Sequence, residues 1–315
     1  MAMNAMVIGG TGFIGRRLVA SLLKEGCEVT VASAGRTENP FGDTVTSIKF
    51  DRFDMADAAD RLSSAHYDVL FDQLCFGQDD AKNIVDVFRN RIGHYVFVSS
   101  GAVYYPGKSE YEEGDFDPTR FSLQSRNNDE SDYAEGKRSA EAYFFQNAPF
   151  SVAAARFPIV IGHDDSSVRF QKHVKSVMLG EEIVIPPHCG RRNYVWVEDA
   201  GRFMSWLGLR KKTGPYNGAS PYGLDAVELV DRIGRLLNRT PDIRRQVSAV
   251  RTSSYFIEAD RTLSAVKAEK ECFAFTPFEE WFPAEVKLTV EAGADTGGVP
   301  HNSMDYFKKN LPGKS

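Results

Sequence analysis

The stretch Ala5-Met6-Val7-Ile8-Gly9-Gly10-Thr11-Gly12-Phe13-Ile14-Gly15 constrains this chain more than any other. An apolar run of strand character meets glycines at Gly9, Gly12 and Gly15, and Ile14, Leu18 and Leu22 then recur at helical spacing. Strand, glycine turn and helix in that order suit a dinucleotide pyrophosphate. The glycines allow a sharp turn and close backbone approach, and the helix N-terminus supplies N–H groups and a partial positive charge. Gly9, Gly12, Phe13, Ile14 and Gly15 are therefore the expected contacts to the cofactor phosphates.

A chain of 315 residues can bury a large core in one domain or two. With 42% hydrophobic and 26% charged residues it reads as a soluble globular protein. The net charge of −5 gives no electrostatic footprint for nucleic acid or an anionic membrane, so neither is expected as a partner. No basic segment leads into an apolar leader, and no apolar run reaches membrane-spanning length. Cys27, Cys75, Cys189 and Cys272 stand far apart, and the six histidines are scattered. These are expected to be reduced thiols of a cytoplasmic protein, with no metal site.

Glu28-Val29-Thr30-Val31-Ala32 reads as a second strand that completes a βαβ unit. An acid at its end would bind the adenosine ribose of NAD and repel the 2′-phosphate of NADP. The chain instead has Ser33 followed by Arg36, and Arg16 or Arg17 could add charge, so the reading favours NADP over NAD. Arg36 as a solvated loop residue is the bland alternative. After the strand Ser47–Phe50, Asp51 and Arg52 are candidates to contact the adenine, while Asp54 and Asp57 serve equally well as helix caps. Tyr67–Phe71 is a fourth strand ending at Gln73-Leu74-Cys75, beside the expected cofactor.

Tyr95-Val96-Phe97-Val98 is a near-continuous apolar strand, as expected for one buried on both faces of a parallel sheet. It ends at Ser99-Ser100, where ligands of open α/β sheets sit. The polar stretch from Arg120 to Asp132 reads as a loop or lid over the site. Tyr133-Ala134-Glu135-Gly136-Lys137 then opens a helix, with Tyr133 and Lys137 four apart on one face. An ammonium held near a phenol favours the phenolate, which equips tyrosine as a general acid/base. The alternation of strands and helices makes the fold class α/β, a doubly wound parallel sheet.

Glycine turn, strand-end serine and Tyr-x-x-x-Lys, in this order, resemble the short-chain dehydrogenase/reductase superfamily in its extended branch of NAD(P)-dependent epimerases, dehydratases and reductases. The resemblance implies a Rossmann domain over residues 1–160, joined by 190–208, and a smaller substrate-binding domain over 161–189 and 209–315. It implies Ser100, Tyr133 and Lys137 as the catalytic set, Asp51 at the adenine, and Phe157 and Pro158 beside the nicotinamide. Within it, Arg192–Ala200 is similar to a strand returning to the sheet, and Gly214–Asn217 to a substrate-domain strand. A homodimer through a four-helix interface is also implied.

Departures from the family pattern narrow the chemistry. Gly101-Ala102 replace the Asp-Glu pair of sugar dehydratases, and Ile159 stands about where nucleotide-sugar binders carry Asn. Arg191 and Arg192 remain candidates to grip an anionic small-molecule substrate, with surface ion pairing as the alternative role. Asp115, His163, Asp164, His173 and His188 read as loop or surface residues. The leading expectation is an NAD(P)-dependent reductase or dehydrogenase acting on a sugar-like or polyol carbonyl or alcohol. The alternatives are an NAD-dependent sugar epimerase without net cofactor turnover and a non-catalytic RNA-binding relative.

Overall fold

The computed structural model describes residues 2–35, 38–51, 65–123, 133–247 and 252–292. Arg36, Arg52, Asp54, Asp57, residues 124–132 of the polar stretch and the tail from Gly293 lie outside them.

Seven parallel strands form the centre: β1 (Asn4–Ile8), β2 (Glu28–Ser33), β3 (Thr46–Lys49), β4 (Tyr67–Asp72), β5 (Ile92–Ser100), β7 (Ser151–Phe157) and β11 (Gly214–Asn217). Their order across the sheet is β11-β7-β5-β4-β1-β2-β3. The chain moves outward from β1 first to one side and then to the other. The strand order thus reverses between β1 and β4, where open α/β sheets form their ligand crevice.

Side-chain alternation along the strands feeds two cores. Ala5 and Val7 join Leu18, Val19 and Leu22 of α1 (Phe13–Lys24) and Phe203, Met204 and Leu207 of α5 (Val197–Leu209) on one face. Met6 and Ile8 join Ile84, Val85 and Phe88 of α2 (Gln78–Phe88) and Ala140 and Phe144 of α3 (Tyr133–Asn147) on the other. These strands are apolar on both faces because both are covered.

Pro158 ends β7, since it has no N–H to continue a ladder. The next strand, β8 (Ile159–Ile161), leaves the central sheet and pairs in parallel with β10 (Arg192–Trp196), which pairs antiparallel with β12 (Gly223–Leu224). Two segments therefore sit elsewhere than the resemblance suggests. The strand within Arg192–Ala200 stays in this three-stranded sheet, and β11 is the edge of the central one, with Asn217 opposite Arg156. A third core packs α4 (Arg169–Leu179), α6 (Ala226–Leu237) and α8 (Phe278–Glu291) around Phe170, Val174, Ile233, Trp281 and Phe282. The short α7 (Val266–Lys270) precedes α8.

Two small parallel ladders complete the layout. One pairs β9 (Ile183–Val184) with β13 (Ile243–Arg244). The other pairs β6 (Glu110–Tyr111) with β14 (Thr262–Leu263), bringing residues near 261 beside the chain that leaves β5. Among the described residues no helix is long and apolar enough to cross a membrane.

Candidate active site

The glycine turn is built by close packing. Gly9 has φ 80°, in the left-handed region, and its N–H donates to the Ala32 carbonyl at 2.9 Å. A Cβ at Gly15 would lie 2.1 Å from the Gly9 carbonyl oxygen, so only glycine lets α1 start this near the turn. A Cβ at Gly9 would lie 3.1 Å from Gln73 Cβ and 3.3 Å from Leu74 Cγ, which places both residues against the turn across the crevice. Buried Asp72 fixes them: its carboxylate accepts from the Leu74 N–H at 2.7 Å and the Tyr95 hydroxyl at 2.9 Å. The helix N-cap, Gly12, offers no side chain to the first N–H groups of α1, and the first turn holds no acid. A bare helix start in a cradle that any Cβ would fill fits a dinucleotide pyrophosphate.

Ser33 ends β2, with its Oγ accepting from the Gly35 N–H at 3.4 Å, and Asp51 follows β3. Arg16 and Arg17 do not serve as spare cationic readers here. Both pair with Asp164, Arg17 at 2.7 Å, and Arg17 also reaches Glu198 at 2.9 Å. Carboxylates from the segment after β8 and from α5 thus take the charge expected for a 2′-phosphate. Arg36, the other candidate reader, lies outside the described residues.

At the end of β5 the two serines face opposite ways. Ser99 is buried and donates to Glu141 Oε1 at 2.5 Å. Ser100 is turned to the open side, and its Oγ accepts from the Ala102 N–H at 3.1 Å. Glu141 lies on α3, where Arg156 of β7 pairs with it at 2.6 Å, both side chains fully buried. Burial alone would depress the Arg156 guanidinium, but Glu141 outweighs this and holds it above its usual range. Arg156 also donates to the carbonyls of Glu113 and Phe116.

Lys137, 1% exposed, donates to the carbonyls of Cys75 at 2.6 Å and Val98 at 2.8 Å. Its Nζ lies 5.7 Å from the centre of the Tyr133 ring and 4.4 Å from that of Phe76. The close approach needs Gly136, where a Cβ would stand 2.5 Å from the Phe76 carbonyl oxygen. The ammonium therefore joins the segment after β4 through Cys75, β5 through Val98 and its own helix α3.

Ser100 and Tyr133 line one cavity of about 700 Å³, together with Phe157, Pro158 and Ile159. Its other wall carries Arg169, Lys172, Arg192 and Arg261, and no Asp or Glu of the described residues lines it. Arg169 is partly neutralised, with Asp165 at 3.7 Å and the Ser167 hydroxyl at 2.8 Å. Arg192 forms no hydrogen bond or ion pair with its side chain among the described residues, and burial pushes its guanidinium below the usual range. Arg191 points away: it pairs with Glu228 at 2.9 Å and donates to the Gly223 carbonyl at 2.6 Å. Of the two adjacent arginines, only Arg192 reaches the cavity. Sequence reasoning missed Arg169, Lys172 and Arg261, which carry no motif and are gathered only by the tertiary fold.

His173 and His163 make structural contacts. His173 is buried, with Nδ1 2.7 Å from the Arg169 carbonyl and Nε2 2.8 Å from Ser253 Oγ, and burial lowers its basicity. His163 contacts Glu285 at 3.0 Å. Among the described residues no group of His, Cys, Asp and Glu could hold a metal ion.

Residues 5–219 match the model of the NAD dependent epimerase/dehydratase family, and the chain belongs to that family. No curated protein matches the chain. Among solved structures it is similar to the UDP-glucose 4-epimerase of Thermus thermophilus in complex with NAD, at TM-score 0.70 and 21% identity, covering 94% of this chain and 100% of that one. It is similar to the UDP-glucose 4-epimerase of Thermotoga maritima with UDP-glucose, at TM-score 0.69 and 17% identity over 92% and 99% of the two chains. A third is the UDP-N-acetylglucosamine 4-epimerase of Methanobrevibacter ruminantium in complex with UDP-N-acetylmuramic acid, at TM-score 0.68 and 20% identity over 92% and 97%. These likenesses are of fold.

Proposed function

We propose that this member of the NAD dependent epimerase/dehydratase family is an NAD-dependent epimerase acting on a hydroxyl-bearing carbon of a sugar nucleotide, with no net turnover of cofactor. The observation that carries the reading is the cavity itself. It joins Ser100 and Tyr133 to four cationic side chains and no carboxylate of the described residues, the charge pattern an anionic sugar derivative requires.

Bound NAD supplies hydride acceptance and donation at the reacting carbon. Gly9, Gly12, Phe13, Ile14 and Gly15 hold its pyrophosphate. Ser33 and Asp51 lie toward the adenosine, Gln73, Leu74 and Cys75 line the crevice, and Phe157 and Pro158 flank the nicotinamide end. Tyr133 takes the proton from the substrate hydroxyl and returns it. Lys137 supports the negative charge that forms on the Tyr133 oxygen, and Ser100 donates a hydrogen bond to the substrate oxygen.

The test is incubation of the protein with NAD and UDP-glucose or UDP-N-acetylglucosamine, followed by proton NMR and by the absorbance of reduced nicotinamide. The expected result is the epimeric sugar without accumulation of reduced cofactor. No epimer from either compound would overturn the reading. Ser33 in place of an acid at the end of β2 favours a second reading, an NADP-linked reductase. Stoichiometric oxidation of NADPH with a keto-sugar would establish that one instead.

A further inference from the structure

The segment that leaves β5 is gripped by an arginine of the helix that carries Tyr133 and Lys137. Arg138 directly follows Lys137 on α3 and is buried. Its Nε donates to the Val103 carbonyl at 2.8 Å, its Nη2 to the Ala102 carbonyl at 3.4 Å and its Nη1 to Glu135 at 2.9 Å. The guanidinium also lies over the Tyr105 ring, 4.0 Å from its centre. With all three nitrogens engaged and an aromatic ring against it, this planar fork has one defined setting. The residues it holds belong to the single 3₁₀ turn Gly101–Val103, whose N-cap is Ser100.

That turn governs what Ser100 does. The Ala102 N–H donates to Ser100 Oγ at 3.1 Å, which leaves the hydroxyl's own proton to be given to a substrate oxygen. The Gly101 carbonyl shares a peptide unit with that N–H, and it accepts from the Tyr104 N–H at 3.4 Å and Arg261 Nη2 at 3.5 Å. Arg138 takes the carbonyls of the next two peptide units. Gly101, Ala102 and Val103 carry no polar side chain with which to hold the turn themselves. The buried Ser99, Glu141 and Arg156 network grips β5 one residue before Ser100. The direction of the Ala102 N–H therefore depends on groups that reach the turn from other elements.

We infer that Arg138 is a positioning residue for the reaction: by holding the carbonyls of Ala102 and Val103 it aims the Ser100 hydroxyl at the substrate oxygen that Tyr133 serves. The inference rests on the reading of Ser100 and Tyr133 as the reacting pair. Arg138 stands on the same helix as Tyr133, so its bonds tie the proton-transfer group and the hydrogen-bond donor to one rigid element. A hydroxyl misplaced by about 1 Å stabilises the reacting oxygen less well, at a cost of up to about 10²-fold in rate. Arg138 touches neither substrate nor cofactor in this role and acts only through Ser100.

Two measurements on the full chain test it. The first is amide hydrogen exchange read by NMR, which needs no substrate. Arg138→Gln is expected to speed exchange of the Ala102 N–H by about tenfold, the scale of one charge-assisted hydrogen bond, with Arg138→Lys in between. The amides of β1 and α1 are expected to keep their wild-type protection, which shows that the variant is folded; if Arg138→Gln does not fold, Arg138→Lys carries the comparison. Wild-type exchange at Ala102 in the variant would overturn the proposal. The second is a double-mutant cycle on epimer formation with NAD and UDP-glucose or UDP-N-acetylglucosamine. Arg138→Gln is expected to lower kcat by about 10–10²-fold with KM and NAD affinity within about twofold of wild type. Added to Ser100→Ala, it is expected to lower kcat by no more than about twofold further. A loss that multiplies onto that of Ser100→Ala, or that falls on KM or NAD affinity, would make Arg138 a structural residue and overturn the proposal. Absence of epimer with the wild type would refute the proposed function, and exchange at Ala102 would then decide the role of Arg138 by itself.

Discussion

Tyr133 and Ser100 are the residues on which the proposed chemistry turns, and their substitutions separate chemistry from binding. Tyr133→Phe removes the proton-transfer group and is expected to lower turnover by about 10²–10⁴-fold while leaving NAD affinity nearly intact. Parallel turnover and NAD titrations check it, and unchanged turnover would remove the mechanism. His94 gives a prediction in stability. It is fully buried in β5, and burial depresses its imidazole to about 4. An unfolded histidine titrates near 6.5, so between these values the unfolded chain binds the extra proton. The stability tied to neutral His94 is complete above pH ~6.5 and declines as pH falls toward ~4, by about 3 kcal/mol in all. Denaturant unfolding across that range should show the slope, and His94→Gln should flatten it. The glycine turn and the Tyr-x-x-x-Lys spacing are legible in sequence because their chemistry is local. Arg261 is not, since nothing adjacent to it announces that its guanidinium will lie on the carbonyls after Ser100.

At the scale of elements, the end of β5 and the helix α3 are held in register by Ser99, Glu141 and Arg156 on one side of Ser100 and by Lys137 on the other. Removing one member of a fully buried ion pair leaves a buried charge, so Arg156→Met is expected to destabilise by about 3–5 kcal/mol. Arg156→Met paired with Glu141→Leu should recover part of that loss, and thermal unfolding of the three proteins measures it. The same logic applies where elements touch through glycine. Gly15→Ala puts a Cβ 2.1 Å from the Gly9 carbonyl, and the helix must retreat at a cost of about 1–3 kcal/mol together with loss of NAD affinity. Strand and helix identities followed from apolar runs and spacing. The sheet to which β10 and β11 belong did not, because short strands carry little register information and their placement depends on where Pro158 breaks the ladder.

For the whole molecule, the strand order places the glycine turn, the ends of β4 and β5 and the start of α3 around one crevice, and α4, β10 and the segment before β14 supply the cationic wall. Net charge gave no hint of that wall, since −5 over the chain conceals a cavity lined by four cations. The proposed chemistry requires that this crevice hold a nicotinamide dinucleotide. The most direct measurement is a thermal-shift titration with NAD and NADP over the same concentrations, with Gly15→Ala as control. Binding at 100 times Kd stabilises the folded state by about 2.7 kcal/mol, which raises Tm by several degrees. NAD is expected to give a saturable rise, NADP a smaller one because Arg16 and Arg17 are already paired, and the variant little response. No shift with either dinucleotide would contradict it.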